Sequence, residues 1–134
     1  MVLLSVNTLP LERNEQIVSV RQTVRERAIE LGFSLVEQTK IVTAASELAR
    51  NTIQHGCGGA VLVESVNDGA RRGLRLTFED HGPGIPDIAL AMKDGYTTAG
   101  GLGLGLSGAK RLSNEFAIES APGQGTRVVI TRWK

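Results

Sequence analysis

Apolar residues recur at three- and four-residue steps in two stretches of the first half of the chain. Ile17, Val20, Val24, Ala28 and Leu31 form the first stretch. That spacing covers one helical face and predicts a helix over about residues 15–31, with Gly32 as its stop. Ser34-Leu35-Val36-Glu37 then reads as a capping box, opening a second helix. It should run through Ile41, Ala45 and Leu48 to about residue 54, where Gly56-Cys57-Gly58-Gly59 ends it. Next the period changes to two. Residues 60–67 and 73–79 read as strands, and Leu74, Leu76 and Phe78 alternate with Arg75, Thr77 and Glu79. Such alternation implies a sheet with one covered face. Asn67-Asp68-Gly69 supplies turn chemistry between the two.

Beyond Asp80 the regularity lapses. Asp80-His81-Gly82-Pro83-Gly84-Ile85-Pro86 cannot extend the strand, because its prolines and glycines break the ladder. A short helix is expected over residues 87–93, a glycine-rich segment over 94–103, and a further helix over about 105–114 carrying Leu106, Ala109 and Leu112. Residues 116–120 and 126–133 read as a closing hairpin around Pro122-Gly123-Gln124-Gly125. The first ten residues are mildly apolar and receive no element. Helices packed on one face of a mixed, mainly antiparallel sheet satisfy this order, so the expected fold class is an α/β two-layer sandwich. No linker, repeat or charge block divides the chain, and residues 1–134 are expected to form one domain.

Composition narrows the chemistry. Fifteen basic and fourteen acidic residues give a formal net charge of +1. That balance supplies no broad cationic field, so no nucleic-acid partner is expected. The single Cys57 excludes an internal disulfide framework and an all-cysteine zinc site, which favours a reducing cytoplasmic setting. There is no basic leader, and no run reaches the ~20 apolar residues that span a bilayer, so no membrane association is expected. Glycine is the departure from the norm: 16 of 134 residues, ten of them between Gly82 and Gly125.

Four small constellations carry candidate chemistry. Glu47 and Asn51 lie four apart on the second helix, separated by about 40° around its axis. A carboxylate can polarise an attacking hydroxyl and an amide oxygen can ligate Mg²⁺; alternatively the pair is a solvated polar stripe. Asp80, Gly82 and Gly84 close an apolar strand, where a carboxylate can accept from an exocyclic amine while the glycines admit a flat ligand. An ordinary turn would look the same. Gly101, Leu102, Gly103, Leu104, Gly105 and Leu106 lead into a helix, so main-chain N–H groups could converge on an anion there. The run lacks the Gly-Lys-Ser/Thr of a P-loop and has no strand leading into it, and a ligand-free loop remains an alternative. Finally, Gly123-Gln124-Gly125-Thr126 enters the last strand as a hairpin turn or as a wall of the same site.

In this order, Glu47-x-x-x-Asn51, Asp80-x-Gly82-x-Gly84, Gly101-x-Gly103-x-Gly105 and Gly125-Thr126 resemble the nucleotide-binding boxes of the GHKL superfamily of ATPases and kinases. The resemblance spans about residues 34–133. It implies a Bergerat-type fold with ATP between helices and sheet. Asn51 would then be the Mg²⁺ ligand, Asp80 would read the adenine amine, and Thr126 would support adenine. Gly101 to Leu106 would wrap the triphosphate, and Glu47 would be the general base.

Within that superfamily the length leaves no room for the phosphoacceptor helices of a histidine kinase or the second domain of a gyrase. The wording Ser46-Glu47-Leu48-Ala49-Arg50-Asn51 and Asp80-His81-Gly82-Pro83-Gly84-Ile85-Pro86-Asp87 is similar to the stand-alone serine/threonine switch kinases of bacterial partner-switching pathways, of the stressosome type. That resemblance implies transfer of the ATP γ-phosphoryl group to a STAS-domain partner, followed by activation of a PP2C-type phosphatase. Two alternatives stay open. One is an anti-sigma factor kinase that sequesters a sigma factor; the other is a nucleotide-gated binding module with little catalysis. Residues 94–105 contain no Lys or Arg, so cationic help must come from Mg²⁺ or elsewhere, with Arg50 and Lys110 as candidates that otherwise read as solvated helix charges. Thr97 and Thr98 would belong to a lid. His55 reads as a surface or cap histidine, or alternatively as a residue at the site's edge, Cys57 as a packing or loop residue, and His81 receives no role.

Overall fold

The computed structural model describes residues 1–92 and 105–134. Along the chain run β1 (Val2–Leu11), α1 (Gln16–Glu30), α2 (Leu35–Gln54), β2 (Gly59–Asn67), β3 (Arg72–Asp80), α3 (Ile88–Ala91), α4 (Gly105–Arg111), β4 (Glu115–Ser120) and β5 (Thr126–Trp133). The strands form one sheet in the order β1-β2-β3-β5-β4. Every neighbouring pair is antiparallel, so the sheet is not mixed. One face carries the helices, as expected for a two-layer sandwich.

The capping box forms as read. Ser34 Oγ accepts from the Glu37 amide at 3.1 Å, and Glu37 Oε1 accepts from the Ser34 amide at 3.0 Å. The Ser34 amide holds the Glu37 carboxyl below its ordinary pKa, because a donated hydrogen bond favours the charged form. Val20, Val24 and Ala28 of α1 and Ile41, Ala45 and Leu48 of α2 pack on Val61, Val63, Leu74, Leu76, Phe78 and Ile130, forming the buried core. α4 stops at Arg111, three residues short of the expected end. Its continuation would carry Asn114 away from the sheet, whereas the Asn114 amide donates to Thr131 O at 2.9 Å and starts β4 at Glu115.

The fifth strand, β1, is the element the pattern conceals. On this edge strand Ser5, Asn7, Leu9 and Leu11 face the helices, while Val2, Leu4, Val6, Thr8 and Pro10 are exposed. In the first half of the strand polar Ser5 and Asn7 therefore take inward positions and apolar Val2, Leu4 and Val6 outward ones, inverting the usual signal that only Leu9 and Leu11 keep. Side-chain hydrogen bonds satisfy the inward polar groups: Ser5 Oγ donates to Ser65 Oγ at 2.8 Å, and Arg27 Nε donates to Asn7 Oδ1 at 3.1 Å.

The opposite sheet face carries ion pairs but is only partly open, since Glu64, Thr77, Thr131 and Trp133 are buried there. Arg75 pairs with Glu64 at 3.0 Å, and Arg127 with Glu79 at 2.9 Å. The Glu64 hydrogen bond raises the Arg75 pKa further above its ordinary value.

Candidate nucleotide site

A cavity of about 310 Å³ opens where the C-terminal half of α2 meets the end of β3 and the start of β5. Leu48, Phe78, Val128, Ile85 and Leu90 supply apolar walls. Asn51, His55, Asp80 and Thr126 place polar groups around them. Flat apolar walls with a few fixed polar groups suit an aromatic base.

Asp80 is the last residue of β3 and lies opposite Thr126 in the ladder. Its Oδ1 accepts from the Gly82 amide at 2.9 Å and from the Thr126 amide at 3.2 Å. Two backbone donors on one oxygen fix the carboxylate and leave Oδ2 for another donor. The approach depends on Gly56: a Cβ there would lie 2.3 Å from Asp80 Oδ2. Sequence reasoning assigned Gly56 only to the helix end, since nothing local in the chain records a contact with residue 80.

Gly84 has φ +80°, and a Cβ there would meet Ala121 O at 2.1 Å. The turn after β3 is therefore seated directly on the β4–β5 hairpin. Gly123 N donates to Pro83 O at 2.7 Å, and Ile85 N to Ser120 Oγ at 2.8 Å. The expected Asp80, Gly82, Gly84 and Thr126 are thus brought together, with Ser120 added as a residue the sequence did not single out.

Asn51 lines the cavity, and no described residue donates to or accepts from its side-chain amide. His55, one turn further, is both the C-cap of α2 and part of the lining. Glu47, one turn before Asn51, lies outside the lining residues. Its Oε1 accepts from Arg50 Nη1 at 2.9 Å, with the Glu47 side chain 15% exposed and Arg50 41%. Gly105 and Leu106, which open α4, line the cavity from the far side. The expected site residues Gly101, Leu102, Gly103 and Leu104, with Thr97 and Thr98, lie outside the described residues. Lys110, Cys57 and His81 are exposed and do not line the cavity.

Residues 36–134 match the family of histidine kinase-, DNA gyrase B- and HSP90-like ATPases. The chain belongs to this ATPase family. Within the family it is 49% identical over 117 residues to serine/threonine-protein kinase RsbT of Bacillus subtilis (strain 168), covering 87% of this chain and 88% of RsbT. It is 31% identical over 136 residues to an anti-sigma F factor of Thermoanaerobacter sp. (strain X514), covering 98% and 93%. The solved structure of the mycobacterial sensor histidine kinase MprB superposes with a TM-score of 0.56 at 17% identity, covering 96% of this chain and 97% of that one. That likeness extends the family assignment to the fold. The RsbT homology extends it to a kinase lineage.

Proposed function

We propose that this RsbT homologue is an ATP-dependent serine/threonine protein kinase of a partner-switching pathway, acting on a STAS-domain protein. The observation that carries the reading is the fixed Asp80 carboxylate facing an apolar cavity that also holds Asn51, in a chain so similar to a serine/threonine kinase. Asp80 Oδ2 would accept the exocyclic amine of adenine, with Phe78, Leu48 and Val128 covering the ring. Gly105 and Leu106, with the glycine-rich residues before them, would hold the phosphates.

Magnesium fits the donor set. No group of three His, Cys, Asp or Glu gathers among the described residues, so no all-protein cage exists there. A single amide oxygen from Asn51 beside ligand phosphates is the partial coordination Mg²⁺ accepts. When bound, the ion would neutralise phosphate charge. Phosphoryl transfer then depends mainly on positioning. Glu47 would take the proton of the acceptor hydroxyl as its oxygen attacks the γ-phosphorus and ADP leaves. Its pairing with Arg50 keeps the carboxylate oriented along α2, and a partner that engages Arg50 would release it.

Downstream, binding and activation of a PP2C-type phosphatase follows from the partner-switching reading. A cytoplasmic location suits it, and no helix among the described residues is long and apolar enough to cross a membrane. The similarity to anti-sigma F factors favours a second reading, a kinase that sequesters a sigma factor. Incubation with γ-labelled ATP and candidate STAS proteins tests the kinase reading, with label expected on a Ser or Thr of the partner. Measurable ATP binding without any transfer would sink it in favour of a nucleotide-gated binding module. Capture of a sigma factor instead of a phosphatase would establish the second reading.

A further inference from the structure

Ser120, the last residue of β4, joins three elements of the cavity through a single hydroxyl. Its Oγ accepts from the Ile85 amide at 2.8 Å, lies 2.9 Å from Gly125 O, and lies 2.8 Å from Thr126 Oγ1. A serine hydroxyl has one proton, and a carbonyl oxygen can only accept. Each bond is made only if Ser120 donates to Gly125 O. In the remaining contact Ser120 must then accept, so Thr126 is the donor. Both hydroxyls are half-buried, and polar groups drawn partly out of water favour such complete pairings.

The consequence falls on the cavity. Thr126 has spent its proton on Ser120, so its oxygen can present only lone pairs to a ligand. Asp80 Oδ2 likewise only accepts. We infer that Ser120 is a positioning residue for base selection: by fixing the direction of the Thr126 hydroxyl, it makes this end of the cavity acceptor-only. A base bearing an amine at position 6 meets that surface with donors, whereas a base bearing a carbonyl there meets lone pairs on both sides. With Ser120 removed, Thr126 could turn its proton toward the carbonyl and the penalty would lessen. This inference rests on the adenine-nucleotide reading of the same cavity.

The test compares affinities for ATP and inosine triphosphate, which differ at position 6 and in the proton that inosine carries on N1, by titration calorimetry on the full chain. The unaltered protein should prefer ATP. Ser120→Ala should reduce that preference roughly five- to tenfold, the scale of one neutral hydrogen bond. Ser120→Thr, which keeps the hydroxyl, should restore it. Ser120→Cys keeps the volume with a weaker donor and should give a smaller loss, so the question stays answerable if the alanine variant folds poorly. In a Thr126→Val background, Ser120→Ala should leave the preference unchanged, because the hydroxyl it directs is absent. A purely structural Ser120 would lower both affinities together and leave their ratio alone, and that result would overturn the inference. Failure of the unaltered chain to prefer ATP would instead overturn the adenine reading beneath it.

Discussion

The carboxylate of Asp80 accepts the main-chain N–H of Thr126 at 3.2 Å, tying the end of β3 to the start of β5 across the wall of the cavity. Their Cα atoms are also ladder partners, so this bond extends strand pairing into the site. Together with the Gly82 amide at 2.9 Å it fixes one carboxylate oxygen and leaves its twin for a ligand.

Replacing that carboxylate tests the base-recognition role. Asp80→Asn can keep the oxygen that accepts from Gly82 and Thr126, but it turns an NH₂ toward the ligand amine. ATP affinity should fall at least tenfold, on the order of the cost of an unmet buried polar group, while thermal stability changes little. Titration calorimetry checks it, and unchanged affinity would remove Asp80 from the recognition of adenine.

Gly56→Ala reaches the same carboxylate from the other side. Its methyl would sit 2.3 Å from Asp80 Oδ2, a distance that forces the side chain or the helix end to move. Nucleotide binding should be lost together with some thermal stability. Retention of wild-type ATP affinity would show that Asp80 is free to shift without consequence.

Glu47→Gln separates binding from chemistry. Glu47 lies outside the cavity lining, so ATP affinity should remain within about twofold. Transfer to a STAS substrate should slow by about 10²–10⁴-fold if the carboxylate is the general base. An unaltered single-turnover rate would leave Glu47 as the helix-surface partner of Arg50.

The start of α2 offers a pH-dependent test remote from the site. The Ser34 amide lowers the pKa of Glu37 below its ordinary 4.5. The resulting stabilisation is present above that ordinary value and is lost as pH falls through the lowered one. Glu37→Gln should therefore flatten the decline in melting temperature in acid below about pH 4.5, while Ser34→Ala should cost about 1 kcal/mol near neutral pH. Parallel pH–melting profiles for wild type and Glu37→Gln would disprove the linkage.

Sequence by itself determined whatever depends on neighbours along the chain. The Ser34–Glu37 box, the three- and four-residue spacing of α1 and α2, and the alternation of Leu74, Leu76 and Phe78 are local statements about which face is covered. Asn51, Asp80 and Thr126 were legible because residue type and order carried the resemblance. What only the tertiary structure decided depends on residues far apart in the chain. β1 was hidden because Ser5 and Asn7 face inward, which is tolerable only where Ser65 and Arg27 meet them. Gly56 matters because it lies against Asp80, and Ser120 because its one hydroxyl donates to Gly125 O while accepting from Ile85 and Thr126. A hydrogen bond or a forbidden Cβ is a relation in space, and chain position records neither.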